Sequence, residues 1–198
     1  MAGSTKTEEN VKIFHSILTI FGDENKKCKV QTYWDEKKAN WIDIVSCPDC
    51  PIENVISFAT VALSDFSIGK KVDGIKLGVE IVGACDKKFD QFPNILSTCA
   101  FNIIVEHFSC FPGAIYPDVI EMYMPDSSMK HILFVPPFGW EQEFQTLSFP
   151  TKKVAWLLAV PISDVEYQFA RKNGVDALET LLEEKQIDIY DLERNSVH

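Results

Sequence analysis

The sequence predicts an α+β fold in which a mixed, mostly antiparallel β-sheet is flanked by α-helices within a single domain. Two observations carry this prediction. One is a wholly apolar run, Val154–Val160, which is typical of a strand buried on both faces and is shorter than the roughly 20 residues that cross a bilayer. The other is a series of alternating segments, interspersed with segments whose apolar residues recur at helical spacing. We expect about eight strands and about four helices.

The first half of the chain predicts one helix followed by four strands. The helix covers about residues 6–21, with a Thr5-x-x-Glu8 capping box at its start and Gly22 at its end. The first two strands form a hairpin around a charged connection, residues 35–40. The four strands are expected at Lys29–Trp34, Trp41–Cys47, Val55–Leu63 and Lys76–Ala84.

The second half predicts a long buried helix, further strands and a pair of short helices. Pro161 is expected to end the central strand, and Ser163 and Glu166 form a second capping box directly after it. The long helix is expected at Asp90–Phe108, the short ones at residues 163–174 and Asp176–Lys185, and the additional strands at Asp118–Met124, His131–Val135 and Ile187–Tyr190. Residues 191–197 form a polar end.

Composition narrows the function classes. The chain has 198 residues, 46% hydrophobic and 24% charged, with a formal net charge of −10 and a sequence pI of about 4.8. This is ordinary for one globular domain, residues 1–198. An acidic chain is poorly suited to nucleic acids or anionic membranes, which need clustered Lys and Arg. It attracts a basic partner through long-range electrostatics.

The cellular compartment follows from two absences in the sequence. Residues 1–9 lack the apolar core of a signal peptide, and no segment is long enough to cross a membrane. We therefore expect a cytoplasmic protein. Its cysteines are then expected to be thiols, since reducing compartments disfavour disulfides; they are Cys28, Cys47, Cys50, Cys85, Cys99 and Cys110.

Few residues point to catalysis or metal binding. Cys47-x-x-Cys50 is half of a zinc site, which His107 and Cys110 would complete if the fold brought them near. We favour the alternative that Cys47 and Cys50 are small residues of the core or of a turn. The sequence has no His-x-x-x-His or His-Glu-x-x-His arrangement, nucleophile elbow, phosphate loop or dinucleotide fingerprint. We expect neither enzymatic activity nor a cofactor.

Aromatic residues set among acids are the more informative feature. Residues 33–36 read Tyr-Trp-Asp-Glu, and residues 138–141 read Phe-Gly-Trp-Glu. Aromatic anchors with an acidic rim suit the binding of a basic protein partner. The equally weighted alternative is that the aromatic side chains belong to the core and the acids face solvent.

Several stretches, in a shared order, resemble the Suppressor-of-fused domain family. They are Val55–Phe66, Gly78–Val82, Phe138–Trp140, Val154–Glu166, Asn173-Gly174 with the following Leu181-Leu182 helix, and Ile189–Val197. The resemblance covers residues from about 30 to 197, and the single-domain length is similar to the family's bacterial, YqcF-type branch of antitoxins. It implies a Suppressor-of-fused-like fold for the chain.

The same resemblance implies a cytoplasmic, non-catalytic immunity protein. Its partner would be a cognate toxin, typically a basic nuclease of the LXG type, with no direct nucleic-acid or membrane binding. The family supplies no catalytic residue. We expect the contacts at loops and strand ends: Asp35, Glu36, Asp49, Asp65, Trp140 and Glu141. Two alternatives stay open, a peptide-binding module with an exposed sheet edge and a metal- or thiol-dependent protein that uses Cys47 and Cys50.

Overall fold

A computed structural model of the chain describes residues 7–22 and 28–197. The described residues form one mixed sheet with the strand order β1-β2-β3-β5-β9-β7-β6, in which β4 pairs with β5 and β8 with β9. The strands are β1 (Lys29–Trp34), β2 (Trp41–Pro48), β3 (Val55–Val61), β4 (Lys71–Val72), β5 (Ile75–Asp86), β6 (Ile115–Tyr116), β7 (Met129–Val135), β8 (Leu147–Ser148) and β9 (Lys152–Ser163). The helices are α1 (Glu8–Ile20), α2 (Phe92–Ile104), α3 (Asp164–Asn173) and α4 (Val175–Glu184).

The predicted α+β class and mostly antiparallel sheet are confirmed. The β5–β9 pair is parallel, with residues 76–82 beside residues 152–158, and the other pairs are antiparallel. No helix within the described ranges combines the length and apolar character needed to cross a membrane.

Strand β9 occupies the centre of the sheet, as the apolar run predicts. It lies between β5 and β7, and its residues from Trp156 to Ser163 are all buried. The prediction that Pro161 ends the strand is wrong, because β9 continues to Ser163 and Pro161 pairs with Ile132 of β7. Pairing with β5 stops at Leu158. Beyond that point, within the described residues, β9 pairs with β7 alone, and a missing backbone N–H is tolerated where a strand has one neighbour.

The sheet separates two apolar cores because successive strand residues point to opposite faces. On one face Ile81 and Leu157 belong to a core that includes Phe92 and Leu96 of α2; we call this the α2-side core. On the other face Val82 and Leu158 belong to a core that includes residues of α1 and α4; we call this the α1/α4-side core. The central strands of the sheet are thereby shielded from water on both faces.

Two helix starts illustrate how local sequence sets the boundaries. The side chain of Thr7 accepts a hydrogen bond from the Asn10 amide, so α1 begins at Glu8; the predicted cap, Thr5, lies outside the described residues. The second predicted capping box is confirmed. Ser163 Oγ accepts from the Glu166 amide at 3.2 Å, and the Glu166 carboxylate accepts from the Ser163 amide at 2.9 Å.

Three sequence predictions need correction. Helix α2 ends at Ile104 instead of Phe108, and His107 adopts a positive φ that cannot continue a right-handed helix. The predicted strand at Asp118–Met124 is a series of turns, since the amides of residues 122 and 124 bond to carbonyls four residues earlier. The predicted edge strand at Ile187–Tyr190 is also a turn segment; its Tyr190 carbonyl accepts one bond, from the Asp86 amide.

Candidate partner-binding surface

The six contact residues expected from the sequence lie at two opposite ends of the sheet. Antiparallel pairing places the end of β3 beside the start of β2, and the start of β3 beside the end of β2. One end therefore carries Asp35, Glu36 and Asp65. The other carries Asp49 and, through the hydrogen bond that joins Trp140 to Ser57 at the start of β3, also Trp140 and Glu141. Strand β3 separates the two ends by roughly 20 Å, so these residues do not form one site.

Two of the five acids among these contact residues stabilise turns. The Asp35 carboxylate accepts hydrogen bonds from the Ala39 amide and from the backbone and side chain of Asn40. Desolvation raises the pKa of Asp35, but these hydrogen bonds outweigh it and bring the pKa below its usual value. Asp49 has a positive φ and accepts from the Asn54 amide at 3.0 Å. Both carboxylates lie in loops and stabilise the local backbone conformation by accepting hydrogen bonds from it.

Asp65 belongs to a polar cluster between α1 and the sheet. The Lys152 ammonium group, 2% exposed as a residue, donates to Ser64 Oγ at 2.9 Å and forms an ion pair with Asp65. The side-chain Nδ2 of Asn10 in α1 donates to the Asp65 carboxylate at 2.7 Å. The Asp65 side chain is 36% exposed. Its main role in the structure is to neutralise a buried lysine, a demand that burial of an ammonium group imposes.

Glu80 lies next to this polar cluster and is completely buried. Its carboxylate accepts from Thr60 Oγ1 at 2.6 Å and from the Ser64 amide at 3.0 Å. Desolvation raises the pKa of Glu80 to about 7, against smaller opposing effects from these hydrogen bonds and from Lys152. Such an acid holds a proton near neutral pH, but it has no exposed surface through which a substrate could reach it. We assign it a structural role.

Trp140 is partly buried and packs against the protein's own side chains. Its ring stacks on Phe21 with centroids 5.9 Å apart and meets Phe144 edge-on at 5.2 Å. Its Nε1 donates to Ser57 Oγ at 2.9 Å. The aromatic residue that this loop presents to solvent is Phe138, which is 53% exposed. The sequence alone does not show which of the two rings faces outward.

Phe138 borders an apolar groove that the sequence does not reveal. The groove has a volume of about 570 Å³ and lies between β7, β9, α4 and the segment that follows α4. Glu179 and Glu183 of α4 stand at its lip. Desolvation, helped by the neighbouring Asp176, raises the pKa of Glu179. Its lining residues are Leu133, Val135, Pro136, Phe138, Val160, Glu179, Leu182, Glu183, Gln186, Ile187 and Ile189.

The cysteines contradict two expectations from the sequence. Cys28 and Cys47 form a disulfide, so the prediction that both are thiols is wrong. Their position explains the bond: Lys29 pairs with Ser46 in the β1–β2 hairpin, which sets Cys28 and Cys47 opposite each other at the next register position, with Cα atoms 4.3 Å apart. Cys47 is therefore not available as a thiolate ligand.

The four metal-ligand candidates are not brought together. Cys47 and Cys50 belong to the α1/α4-side core, whereas Cys110 packs against the α2-side core, so the sheet lies between them. His107 is exposed. Burial raises the pKa of Cys110 to about 12. Within residues 7–22 and 28–197, no group of three or more His, Cys, Asp or Glu side chains is arranged to hold a metal ion. The structure therefore does not gather Cys47, Cys50, His107 and Cys110 into one site.

Comparison with known proteins defines the class to which the fold belongs. The family described as Suppressor of fused protein (SUFU) matches residues 38–195, which is most of the chain. The protein belongs to the Suppressor of fused protein family.

One relative is similar along its whole length. The chain is 50% identical over 191 residues to Immunity protein YqcF of Bacillus subtilis (strain 168), covering 96% of this chain and 98% of the relative. Identity at this level over nearly the full length of both chains places the two proteins in one family.

Solved structures of more distant relatives share the fold. A putative SUFU homologue from Neisseria gonorrhoeae FA 1090 superposes with a TM-score of 0.72 at 16% identity, covering 96% of each chain. A chain of the Sufu-Fu complex gives a TM-score of 0.65 at 12% identity, over 94% of this chain and 91% of that one. Drosophila Suppressor of Fused gives 0.61 at 12% identity, and the match spans 51% of its length.

Proposed function

We propose that this protein is an immunity protein that binds a cognate toxin and neutralises it by covering its active surface, without catalysis. The observation that carries the proposal is the 50% identity over 191 residues to Immunity protein YqcF. At this identity and coverage, a shared role is the simplest account of a shared sequence. We propose that it acts in the cytoplasm, a compartment whose reducing conditions oppose the Cys28–Cys47 disulfide.

The finer proposal is that the toxin is a nuclease of the LXG type. A nuclease binds its phosphate substrate in a basic cleft, which an acidic protein complements. The net charge of −10 supports rapid capture of such a partner, since complementary charge raises association rates. The proposed contacts lie at the two ends of the sheet and are Asp35, Glu36, Asp49, Asp65, Trp140 and Glu141.

The protein's own groups support inhibition by occlusion in preference to chemistry. Glu80, whose pKa is raised to about 7, is sealed from solvent. Burial raises the pKa of the Cys85, Cys99 and Cys110 thiols, so few thiolates form at neutral pH. These environments suit a scaffold that presents a surface.

Co-expression tests the proposal. The toxin domain encoded by the neighbouring reading frame is induced with this protein, with no partner, or with the Neisseria gonorrhoeae homologue, which shares the fold at 16% identity. We expect survival only with this protein, together with intact cellular nucleic acid. Equal killing in all three strains would overturn the immunity role. If the cells survive but the protein does not protect nucleic acid from the purified toxin, the immunity role stands and the nuclease assignment is overturned.

A second candidate function is peptide capture at the sheet edge. Strand β1 is the first strand of the sheet, and within the described part of the chain only β2 pairs with it. Five of its six residues are exposed, including Val30 and Trp34. An extended segment of a partner could add to this edge through backbone hydrogen bonds. Amide hydrogen exchange decides the matter: protection of β1 amides by the toxin domain supports strand addition, and unchanged exchange removes it.

A further inference from the structure

The groove beside α4 has a buried floor and a raised, exposed rim. Leu133 and Val160 form part of the floor and are almost completely buried, whereas Phe138 and Gln186 on the rim are exposed. Its volume of about 570 Å³ falls in the range of roughly 300–1,000 Å³ typical of ligand pockets. A concave apolar surface of this size accommodates one or two large side chains of a partner.

The charge around the groove selects the partner's chemistry. Glu179 and Glu183 lie four residues apart on α4 and so point to the same side of the helix. Among the residues that the structure describes, the lining includes no Lys, Arg or His. Desolvation raises the pKa of Glu179, so an arriving cation would relieve an unfavourable environment for its charge. The complement of this rim is a Lys or Arg next to an apolar side chain.

The rim loop is held in place before any partner arrives. Trp140 is fixed by Phe21 and by Ser57, and Pro136 and Pro137 limit the backbone just ahead of Phe138. Gly139 has φ +97°, and a Cβ there would lie 3.3 Å from the Tyr190 hydroxyl. A loop whose backbone is restricted before binding loses less conformational entropy on binding, which favours affinity.

We infer that this groove, with Phe138 and Glu183 at its rim, docks an apolar side chain of the toxin that is flanked by Lys or Arg. The inference rests on the proposed immunity function and assigns it a surface. It places the main contact at the groove end of the sheet, which also carries Asp49 and Glu141, and leaves the hairpin end with Glu36 a role in electrostatic attraction.

Two matched pairs of variants test the inference. Phe138→Ala and Glu183→Lys alter the groove rim. Phe108→Ala and Glu106→Lys make the same chemical changes on the α2 side of the sheet, where Phe108 is 45% exposed and Glu106 is exposed. Glu183→Lys and Glu106→Lys change the net charge equally, so a difference between them reports position alone. Thermal melts check that all four variants fold.

The measurement is the dissociation constant for the catalytically inactivated toxin domain from the neighbouring reading frame, determined by calorimetry. We expect losses of about 30-fold or more for both groove variants, typical of a hot-spot residue, and about threefold or less for both controls. If the wild type binds the toxin domain and all four variants lose affinity equally, or none loses it, the inference is overturned and the immunity role stands. Absence of wild-type binding would overturn the immunity role itself. A wild-type dimer that Phe138→Ala dissociates would reassign the groove to self-association.

Discussion

Glu80 and Glu166 are both completely buried, yet their surroundings differ. Glu166 faces the Arg194 guanidinium group, whose Nη1 and Nη2 donate to its two oxygen atoms at 2.7 and 2.8 Å, and it also accepts from the Val197 amide. Glu80 accepts from a hydroxyl and a backbone amide. The nearby Lys152 is bonded to Ser64 and Asp65 instead. Two carboxylates with the same burial therefore depend on different partners.

The difference teaches that burial alone does not determine what a carboxylate contributes. A bidentate guanidinium supplies both charge and geometry to Glu166. Neutral donors satisfy the hydrogen-bonding atoms of Glu80 but leave its charge uncompensated, and desolvation raises its pKa to about 7. One site should be sensitive to loss of its partner, and the other to pH.

Removal of Arg194 should have the largest effect. Arg194→Met leaves the Glu166 carboxylate buried without a cation, and breaking a buried ion pair typically costs about 3–5 kcal/mol. Urea denaturation measures the loss. The Glu166→Gln/Arg194→Met double variant should recover part of it, because no charge is then left unpaired. A single variant as stable as wild type would show that Glu166 and Arg194 do not act as a pair.

Glu80→Gln should have a smaller effect that depends on pH. The folded-state pKa of about 7 exceeds the reference value of 4.5, so the folded protein binds more protons. The stabilisation is fully present below the reference value and is lost as pH rises through about 7, a difference of about 3 kcal/mol. Gln is always neutral and can accept from the Ser64 amide while donating to Thr60.

The variant should therefore match wild type near pH 4 and exceed it in stability at pH 8. Unfolding free energies measured across this range provide the comparison, and titration of other groups cancels in the difference. If the two pH profiles run parallel, Glu80 is not the group that titrates. The Glu166→Gln variant serves as the contrasting control, since it should lose stability at pH 8.

Asp65→Asn should have the smallest effect of the three. It removes the charge that balances Lys152 while preserving the shape of the side chain. Because the Asp65 side chain is 36% exposed, solvent screens the pair and we expect a loss of about 1 kcal/mol. A loss as large as that of Arg194→Met would mean that Lys152 is as dependent on one partner as Glu166 is.

Local features of the fold could be predicted from the sequence, and long-range ones could not. The Ser163–Glu166 capping box and the apolar run of β9 are encoded within a few residues. The Glu166–Arg194 pair joins segments that only the folded sheet brings together. Alternation misled at residues 118–124, where turns bury Val119 and Ile120 in succession without any strand pairing.

The candidate site was harder to predict than the fold. Choosing Phe138 over Trp140 as the exposed ring required knowledge of Phe21 and Ser57, which hold Trp140 and lie far away in sequence. The groove forms between elements from three parts of the chain and has no local signature. One missed signal was present: the hairpin register that pairs Lys29 with Ser46 also places Cys28 opposite Cys47.

The parallel β5–β9 pair has a consequence for synthesis on the ribosome. Strand β5 has emerged long before residues 152–158, which are to lie along it, have been translated. Until then one edge of β5 is open, and pairings between strands so distant in the chain form slowly. A chain that stops before residue 152 lacks the strand at the middle of its sheet, so this pair can form only when synthesis is nearly complete.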